Sequence, residues 1–304
     1  MWPRRGGRRL RLKARRGVLG LYLDGWPAVQ VIAGTPAADA GLRTGDALLQ
    51  IAGRSVAQTG TANDVMKLLA GPPGASIQLT MGRTGQQFTV QVKRVSLAAM
   101  RVKGDLVAPG VVSITIPPFE GSGIADRVKR IIQDRVVGGQ ARAVILDVRG
   151  NPGGRPEEAN AVADISLDNK CLVIMRFRNG QRVAFRSHPG SLNVQVIVLT
   201  DGNTGSGAEM LAMALRDNGR AVIVGQTTAG ALFGKDGEDV GDNQVILFRS
   251  EPTVLSPTGK DYSIAGIPPD VPVAGPKEQG KDEVLRLAVE LAGRGINAMA
   301  PSGQ

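Results

Sequence analysis

Leu199-Thr200-Asp201-Gly202-Asn203-Thr204-Gly205-Ser206-Gly207-Ala208-Glu209 is the most informative run of the 304-residue sequence. The aliphatic residues Val194–Thr200 read as a buried strand. A sharp turn of small residues follows, and Gly207–Asn218 then reads as a helix. A strand, turn and helix in that order put Ser206 at a helix N-terminus, where backbone N–H groups converge and negative charge is favoured. Its hydroxyl has two readings there: an N-cap, a common place for serine, or a nucleophile beside oxyanion donors. On residue type alone the cap is the commoner.

The same alternation extends on both sides. Gly110–Ile116 and Ala143–Val148 read as buried strands around a helical run at Gly123–Val137, and Ala221–Val224 is a further strand. Lys281–Gly293, with Val284, Leu285, Leu287, Ala288 and Leu291 apolar, reads as a closing amphipathic helix. Strands and helices in alternation over residues 107–275 predict an α/β domain whose sheet is mainly parallel and covered by helices. Ahead of it, residues 17–96 read as a small β-rich domain. Its expected strands are Val18–Leu23, Ala28–Ala33 and Asp46–Ile51, with a helical turn at Thr35–Leu42 and a tight turn at Gly53-Arg54. A helix at Thr61–Ala70 ends on Gly71-Pro72-Pro73-Gly74, and Ser76–Met81 and Gln87–Val92 form a hairpin around Gly82–Gly85.

Composition removes several chemistries. Hydrophobic residues make up 42% of the chain, enough for a packed core, and the longest apolar runs are too short to span a membrane. One cysteine, Cys171, excludes an internal disulfide and a cysteine-rich zinc site. One histidine, His188, leaves a single candidate for a Ser-His arrangement. No metal-ligand cluster, paired carboxylates or nucleotide-binding fingerprint appears, so metal ligands are not expected.

The net charge is +10, from 37 Lys and Arg against 27 Asp and Glu. Arg4, Arg5, Arg8, Arg9, Arg11, Lys13, Arg15 and Arg16 carry most of that excess. Residues 1–16 therefore read as a disordered basic arm or the remnant of a targeting segment. Only Trp2 could stack on a base, so nucleic acid is not an expected partner. No apolar segment long enough for a secretory signal follows the charges. Residues 293–304 read as a disordered tail.

Specific segments carry a resemblance. Leu19-Gly20-Leu21 looks like the carboxylate-binding loop of a PDZ domain. Gly34–Gly41, Gly45-Asp46 and Leu68–Gly74 resemble the GSPAAKAG, PGD and LLRGPPG stretches of bacterial PDZ domains. Asp147-Val148-Arg149-Gly150-Asn151-Pro152-Gly153-Gly154 resembles the DLRNNPGG loop of the C-terminal processing, or tail-specific, proteases of family S41. Thr204–Glu209 resembles their SASASE segment, with Ser206 in the nucleophile's place. Arg220–Gly225, Ser256–Gly259 and Gly266–Val271 match their RAVIVG, TPSG and GITPD motifs in the same order. Together the matches cover roughly residues 17–292.

The resemblance implies a PDZ domain at 17–96 and an S41 protease domain of ClpP/crotonase-like α/β fold at 97–292. It implies a serine endopeptidase without a cofactor, acting through an acyl-enzyme. Leu19, Gly20 and Leu21 would capture the C-termini of unfolded or tagged proteins, with the peptide added as a strand. Amides near Gly207 and Gly153 or Gly154 would hold the oxyanion. It also implies an extracytoplasmic location, and it leaves a homodimer open. The resemblance also implies a segment ahead of the PDZ domain, which is not expected within these residues.

One position departs from the family. Its general base is a lysine, uncharged at the moment of attack, within GxxTFGKG. Counted from Gly225 without gaps, that lysine's place holds Ala231. Lys235, four residues later and on the same strand face, or aligned by a four-residue insertion, is the expected base. A solvated loop lysine beside Asp236 and Glu238 is the competing reading, and a pseudo-protease acting as a peptide-binding adaptor is the competing function. His188, in Arg186-Ser187-His188-Pro189-Gly190, reads as a surface-turn residue and Cys171 as a small core residue. Arg176, Arg178 and Arg182 read as the solvated face of a hairpin around Asn179-Gly180.

Overall fold

A strand with no polar face needs cover on both sides, and the strands read as continuous apolar runs obtain it. A computed structural model describes residues 17–294, apart from 24–26, 33–34, 60–61, 97–99, 121, 242–243 and 274–281. The expected basic arm lies outside the described residues, as do residues 295–304 of the expected tail.

Strands β7 (Lys103–Ala108), β8 (Gly110–Thr115), β9 (Ala141–Asp147), β12 (Gln195–Thr200), β13 (Ala221–Gly225) and β16 (Val271–Pro272) form one sheet. Its spatial order is β16-β13-β12-β9-β8-β7. All neighbours are parallel except the edge strand β7, which runs antiparallel to β8. Register fixes the two faces: Val196 lies beside Val144 and Ala221, and Ile197 beside Ile145 and Val222. Val144, Leu146, Val196, Val198 and Ile223 bury one face against α3 (Ile124–Ile132), α4 (Pro156–Asp164) and α5 (Gly207–Asp217). Ala143, Ile145, Ile197, Leu199, Val222 and Val224 bury the other with Ala288 and Ala292 of α6 (Glu283–Arg294). Each fully buried Ile or Leu contributes about 1.5–3 kcal/mol, so this two-sided burial holds the sheet.

A second sheet refines the expected, mainly parallel architecture. β10 (Cys171–Arg176), β11 (Arg182–Arg186), β14 (Phe233–Gly241) and β15 (Gln244–Leu255) are antiparallel in the order β11-β10-β15-β14. Its hairpin at Asn179-Gly180 is the expected one. The pairing of β14 with β15 is not marked by apolar alternation in Phe233–Gly241, where glycines and acids dominate. The helix expected at Gly123–Val137 holds as α3, with its last turn, Gln133–Val137, wound as a π-helix. Gly123 has no side chain to cap α3. Glu158 of α4 supplies the acceptor instead, taking the Gly123, Ile124 and Ala125 N–H groups at 2.9–3.2 Å.

The N-terminal unit has its own core of Leu19, Leu21, Val29, Leu48, Ile51, Val65, Leu79 and Val92. It contains β1 (Leu21–Leu23), β2 (Val29–Val31), α1 (Pro36–Asp39), β3 (Ala47–Ile51), β4 (Arg54–Ser55), α2 (Ala62–Leu69), β5 (Ser76–Arg83) and β6 (Gln86–Lys93). The expected order of elements is kept, with shorter β1 and β2. Val18 pairs with Val95 and Gly17 with Gly71, so the two ends of the unit close on each other. Among the described residues no helix is long and apolar enough to cross a membrane.

Candidate active site

Three neighbouring parallel strands, β9, β12 and β13, end on the same edge of the main sheet. The loop after each leaves from its carboxyl end, the place where open α/β sheets build sites. Side chains and backbone lace the three loops together. Asp201 Oδ1 accepts the Gly150 N–H at 2.9 Å, and Thr204 Oγ1 donates to Val148 O at 3.0 Å. Gly205 N–H donates to Asn151 O, and Ala229 N–H to Thr204 O, both at 2.9 Å. Asn151 is fully buried, with Nδ2 donating to Ile116 O and Pro117 O.

Ser206 stands at the N-cap of α5 with φ 50° and ψ −116°. A residue bearing a Cβ rarely adopts that conformation, and the cost is of order 1–3 kcal/mol. It arises because the chain turns from β12 into α5 within a few small residues, which leaves Ser206 half-buried. Gly153 presses on this turn. A Cβ at Gly153 would come within 2.6 Å of Ser206 Cβ and 2.7 Å of both Gly205 O and Gly207 N, and Gly153 itself has φ 99°. Gly154, with φ 126°, lies against the Phe119 backbone, and a Cβ placed on Gly207 would be 3.6 Å from Gly154 N. The structure thus brings Ser206, Gly207, Gly153 and Gly154 together. The Gly153 N–H donates to Asn151 Oδ1 at 2.9 Å.

Glu209, fully buried one turn into α5, organises the other side. Its Oε2 accepts the N–H groups of Ser206 and Ala231, each at 2.8 Å. Its Oε1 accepts from Thr228 Oγ1 at 2.5 Å and Gly230 N at 2.7 Å. One carboxylate therefore ties the serine turn to segment 228–231. In the sequence Glu209 appears only as the end of the Thr204–Glu209 segment, with no role of its own. The signal that could have singled it out is the serine-to-glutamate spacing of a capping box, in which the glutamate reaches back to the N-cap amide.

The other candidates occupy other elements, except Ala231, which lies in the segment that Glu209 holds. Lys235 is on β14, where its backbone pairs with Arg249. Ala231, not a lysine, has its amide at Glu209. His188 is exposed and pairs through Nδ1 with Asp164 Oδ2 at 2.9 Å. Burial pushes the Cys171 thiol up, with Arg186 opposing, so Cys171 is poorly disposed to act as a thiolate. Arg176 pairs with Asp261 at 2.8 Å and Arg178 with Glu251 at 3.6 Å, while Arg182 is exposed. Among the described residues, no group of His, Cys, Asp and Glu could hold a metal ion.

In the N-terminal unit, Leu19 and Leu21 point into the core and leave their backbone to do any binding. Gly20 has φ 80°, and a Cβ there would fall 2.1 Å from Thr35 Cβ. Thr35 Oγ1 donates to Gly20 O at 3.2 Å and to Ile32 O at 2.6 Å, which fixes the loop. Among the described residues, contacts at Lys103 and at Gly150 link this unit to the rest of the chain. Lys103 Nζ meets Asp39 Oδ1 at 2.7 Å. Ile32 packs on Gly150, where a Cβ would be 2.8 Å from Ile32 Cγ1.

Comparison with known proteins places this arrangement. Residues 110–273 match the model of peptidase family S41, and residues 28–94 match a PDZ domain. A carboxy-terminal-processing protease of Bartonella bacilliformis is 30% identical over 269 residues, which are 84% of this chain and 61% of the relative. The carboxy-terminal processing protease CtpA of Bacillus subtilis is 27% identical over 66% of this chain and 43% of its own. The chain spans about half the length of the curated relatives it matches. Among solved structures, a photosystem II D1 C-terminal processing protease superposes with a TM-score of 0.59, at 24% identity, over 85% of this chain and 72% of its own. That likeness is one of fold.

Proposed function

The chain belongs to peptidase family S41, and from that premise we propose that it is a serine endopeptidase that captures protein C-termini with its PDZ domain. In this reading residues 17–96 are the capturing domain and 97–292 the protease domain. The observation that carries it is the Ser206 turn: a serine held in a left-handed conformation at the head of α5, with Gly153 and Gly154 against it. A plain N-cap needs neither the strained φ nor a neighbouring loop without side chains. A nucleophile needs both, so that its hydroxyl stands clear and a carbonyl can approach.

The chemistry runs as acyl transfer. The Ser206 oxygen attacks the substrate carbonyl while its proton passes to a base. The amides of Gly207 and Gly154 bind the oxyanion; Gly153 joins them by releasing Asn151. Collapse expels the amine, which takes the proton from the base, and water then hydrolyses the acyl-enzyme to restore the serine and release a carboxylate. Lys235 is the proposed base. It must be uncharged to act, which requires a desolvated setting. No cofactor enters. An extracytoplasmic location and a homodimer belong to the same reading.

Ala231 favours a second reading, a peptide-binding adaptor without turnover, because its side chain cannot accept a proton. Incubation with an unfolded protein bearing an apolar C-terminus, followed by mass spectrometry, separates the two. The protease requires cleavage by the chain that disappears in both Ser206→Ala and Lys235→Ala, with peptide binding retained. Binding without cleavage by any of the three establishes the adaptor. Cleavage that survives Lys235→Ala removes Lys235 from the mechanism.

A further inference from the structure

Ile264 is the most exposed large hydrophobic side chain among the described residues, at 77%. It also has φ 108°, a conformation that a β-branched residue adopts only under constraint. An aliphatic side chain left in water gains no burial energy to offset its strained backbone, and the loop has apolar anchors of its own. The apolar anchors of this loop are Tyr262 and Ile267, both buried. Its polar groups are bound within the fold: Asp261 accepts from Ser263 Oγ at 2.5 Å and pairs with Arg176, and Lys260 lies over the Tyr262 ring.

The place of Ile264 in the fold gives it a use. Its N–H donates to Gly230 O at 2.9 Å. A Cβ at Gly230 would lie 2.5 Å from Ile264 O and 2.9 Å from Gly266 N, so the two backbones are in direct contact. Gly230 and its neighbour Ala231 donate to the carboxylate of Glu209, which also holds the Ser206 amide. Nearby, Thr228 Oγ1 accepts the Ile267 N–H at 2.8 Å and donates to Glu209, a second link from the same loop to the same carboxylate. Ile264 is thus joined by a backbone hydrogen bond to Gly230, part of the frame that sets Ser206.

We propose that Ile264 is a specificity-determining residue, an apolar contact at the rim of the Ser206 site for an aliphatic side chain of the substrate flanking the scissile bond. Strain concentrates where the surrounding structure imposes it for function. Here the constraint presents the side chain outward, and a substrate's apolar residue would cover it. The inference rests on the protease reading and narrows its substrate class to chains with an aliphatic residue beside the cut.

The test uses the full chain and pairs of peptides that differ in one residue flanking the cut, leucine in one and glutamine in the other. Wild type, Ile264→Gly, Ile264→Asn and Ile264→Val are compared by kcat/KM. The leucine-to-glutamine ratio is expected to fall about tenfold in the Gly and Asn variants, mostly through KM, and to persist in the Val variant. Glycine accepts the backbone conformation, so the Ile264→Gly melting temperature is expected to stay level or rise by about 2–4 °C. A ratio unchanged in all three variants overturns the proposal. If the wild-type chain cleaves nothing, the protease reading fails separately. Peptide affinity measured on Ser206→Ala with and without Ile264→Gly then decides: loss of the leucine preference supports the contact, and equal preference overturns it.

Discussion

Gly153 shows how closely one residue can be specified. Its φ of 99° and the absence of a Cβ both serve the same contact, the approach of one loop to the Ser206 turn. Alanine there would meet Ser206 Cβ, Gly205 O and Gly207 N, two of them backbone atoms that cannot swing aside. Gly153→Ala is expected to destabilise the fold by about 3 kcal/mol, from backbone strain and overpacking together. In the fraction that folds, displacement of the serine by a few tenths of an ångström is expected to lower kcat by about 100-fold. Urea denaturation gives the first quantity and single-turnover cleavage the second. A variant as stable and as active as wild type would remove Gly153 from the site. Gly153, Gly154 and Ser206 were singled out in the sequence by the family resemblance of their segments, since small residues at strand ends alone read more readily as a turn and an N-cap. Glu209 was not, since an acid in the first turn of a helix is ordinary until its four donors are seen.

At the scale of elements, the glycine loop is also tied down from below. Arg149 donates to both oxygens of Asp147 and to both of Asp282, at 2.6–2.9 Å, and so joins the end of β9 to the start of α6. Burial would lower the Arg149 guanidinium, but the charges and hydrogen bonds of Asp147 and Asp282 outweigh it and hold it well above its usual value. For Asp282, burial works upward, while Arg149 and the Leu285 amide bring it below its unfolded value of 3.8. A carboxyl depressed in this way adds stability that is present above pH 3.8 and lost as pH falls through the folded value. Asp282→Asn is therefore expected to lower the urea midpoint at pH 7, with the gap to wild type closing below about pH 4. A gap of constant size down to pH 2 would exclude the charge as its cause. The elements that escaped the sequence share a cause. β14 pairs with β15 through a run of glycines and acids that shows no apolar alternation, and α4 buries only Ala159, Val162 and Ala163, a shallow apolar face. β9, β12, β13 and α5, among the elements read correctly, fill the core with their own side chains.

At the scale of the whole molecule, an independent N-terminal core and a two-faced α/β core are joined by contacts that reach the site. Ile32 sits on Gly150, three residues before Gly153, and Lys103 meets Asp39. If the Leu19-Gly20-Leu21 loop captures a terminal carboxylate, amidating a substrate's C-terminus removes the charge it recognises. KM is expected to rise about tenfold with kcat little changed, a discrimination of about 1.4 kcal/mol. Equal KM for acid and amide would mean that substrates enter without that loop. The order of the two units was plain from a β-rich pattern giving way to α/β alternation, whereas their contacts depend on surfaces that no local pattern records. The hold of Glu209 on residue 231 has one more consequence. It grips that position through the peptide N–H, a contact that any residue but proline can make. A proton acceptor can then be lost or supplied at 231 with this hydrogen bond kept. Catalyst and mere binder would then be neighbours in sequence that share one architecture, and no measurement of folding would tell them apart.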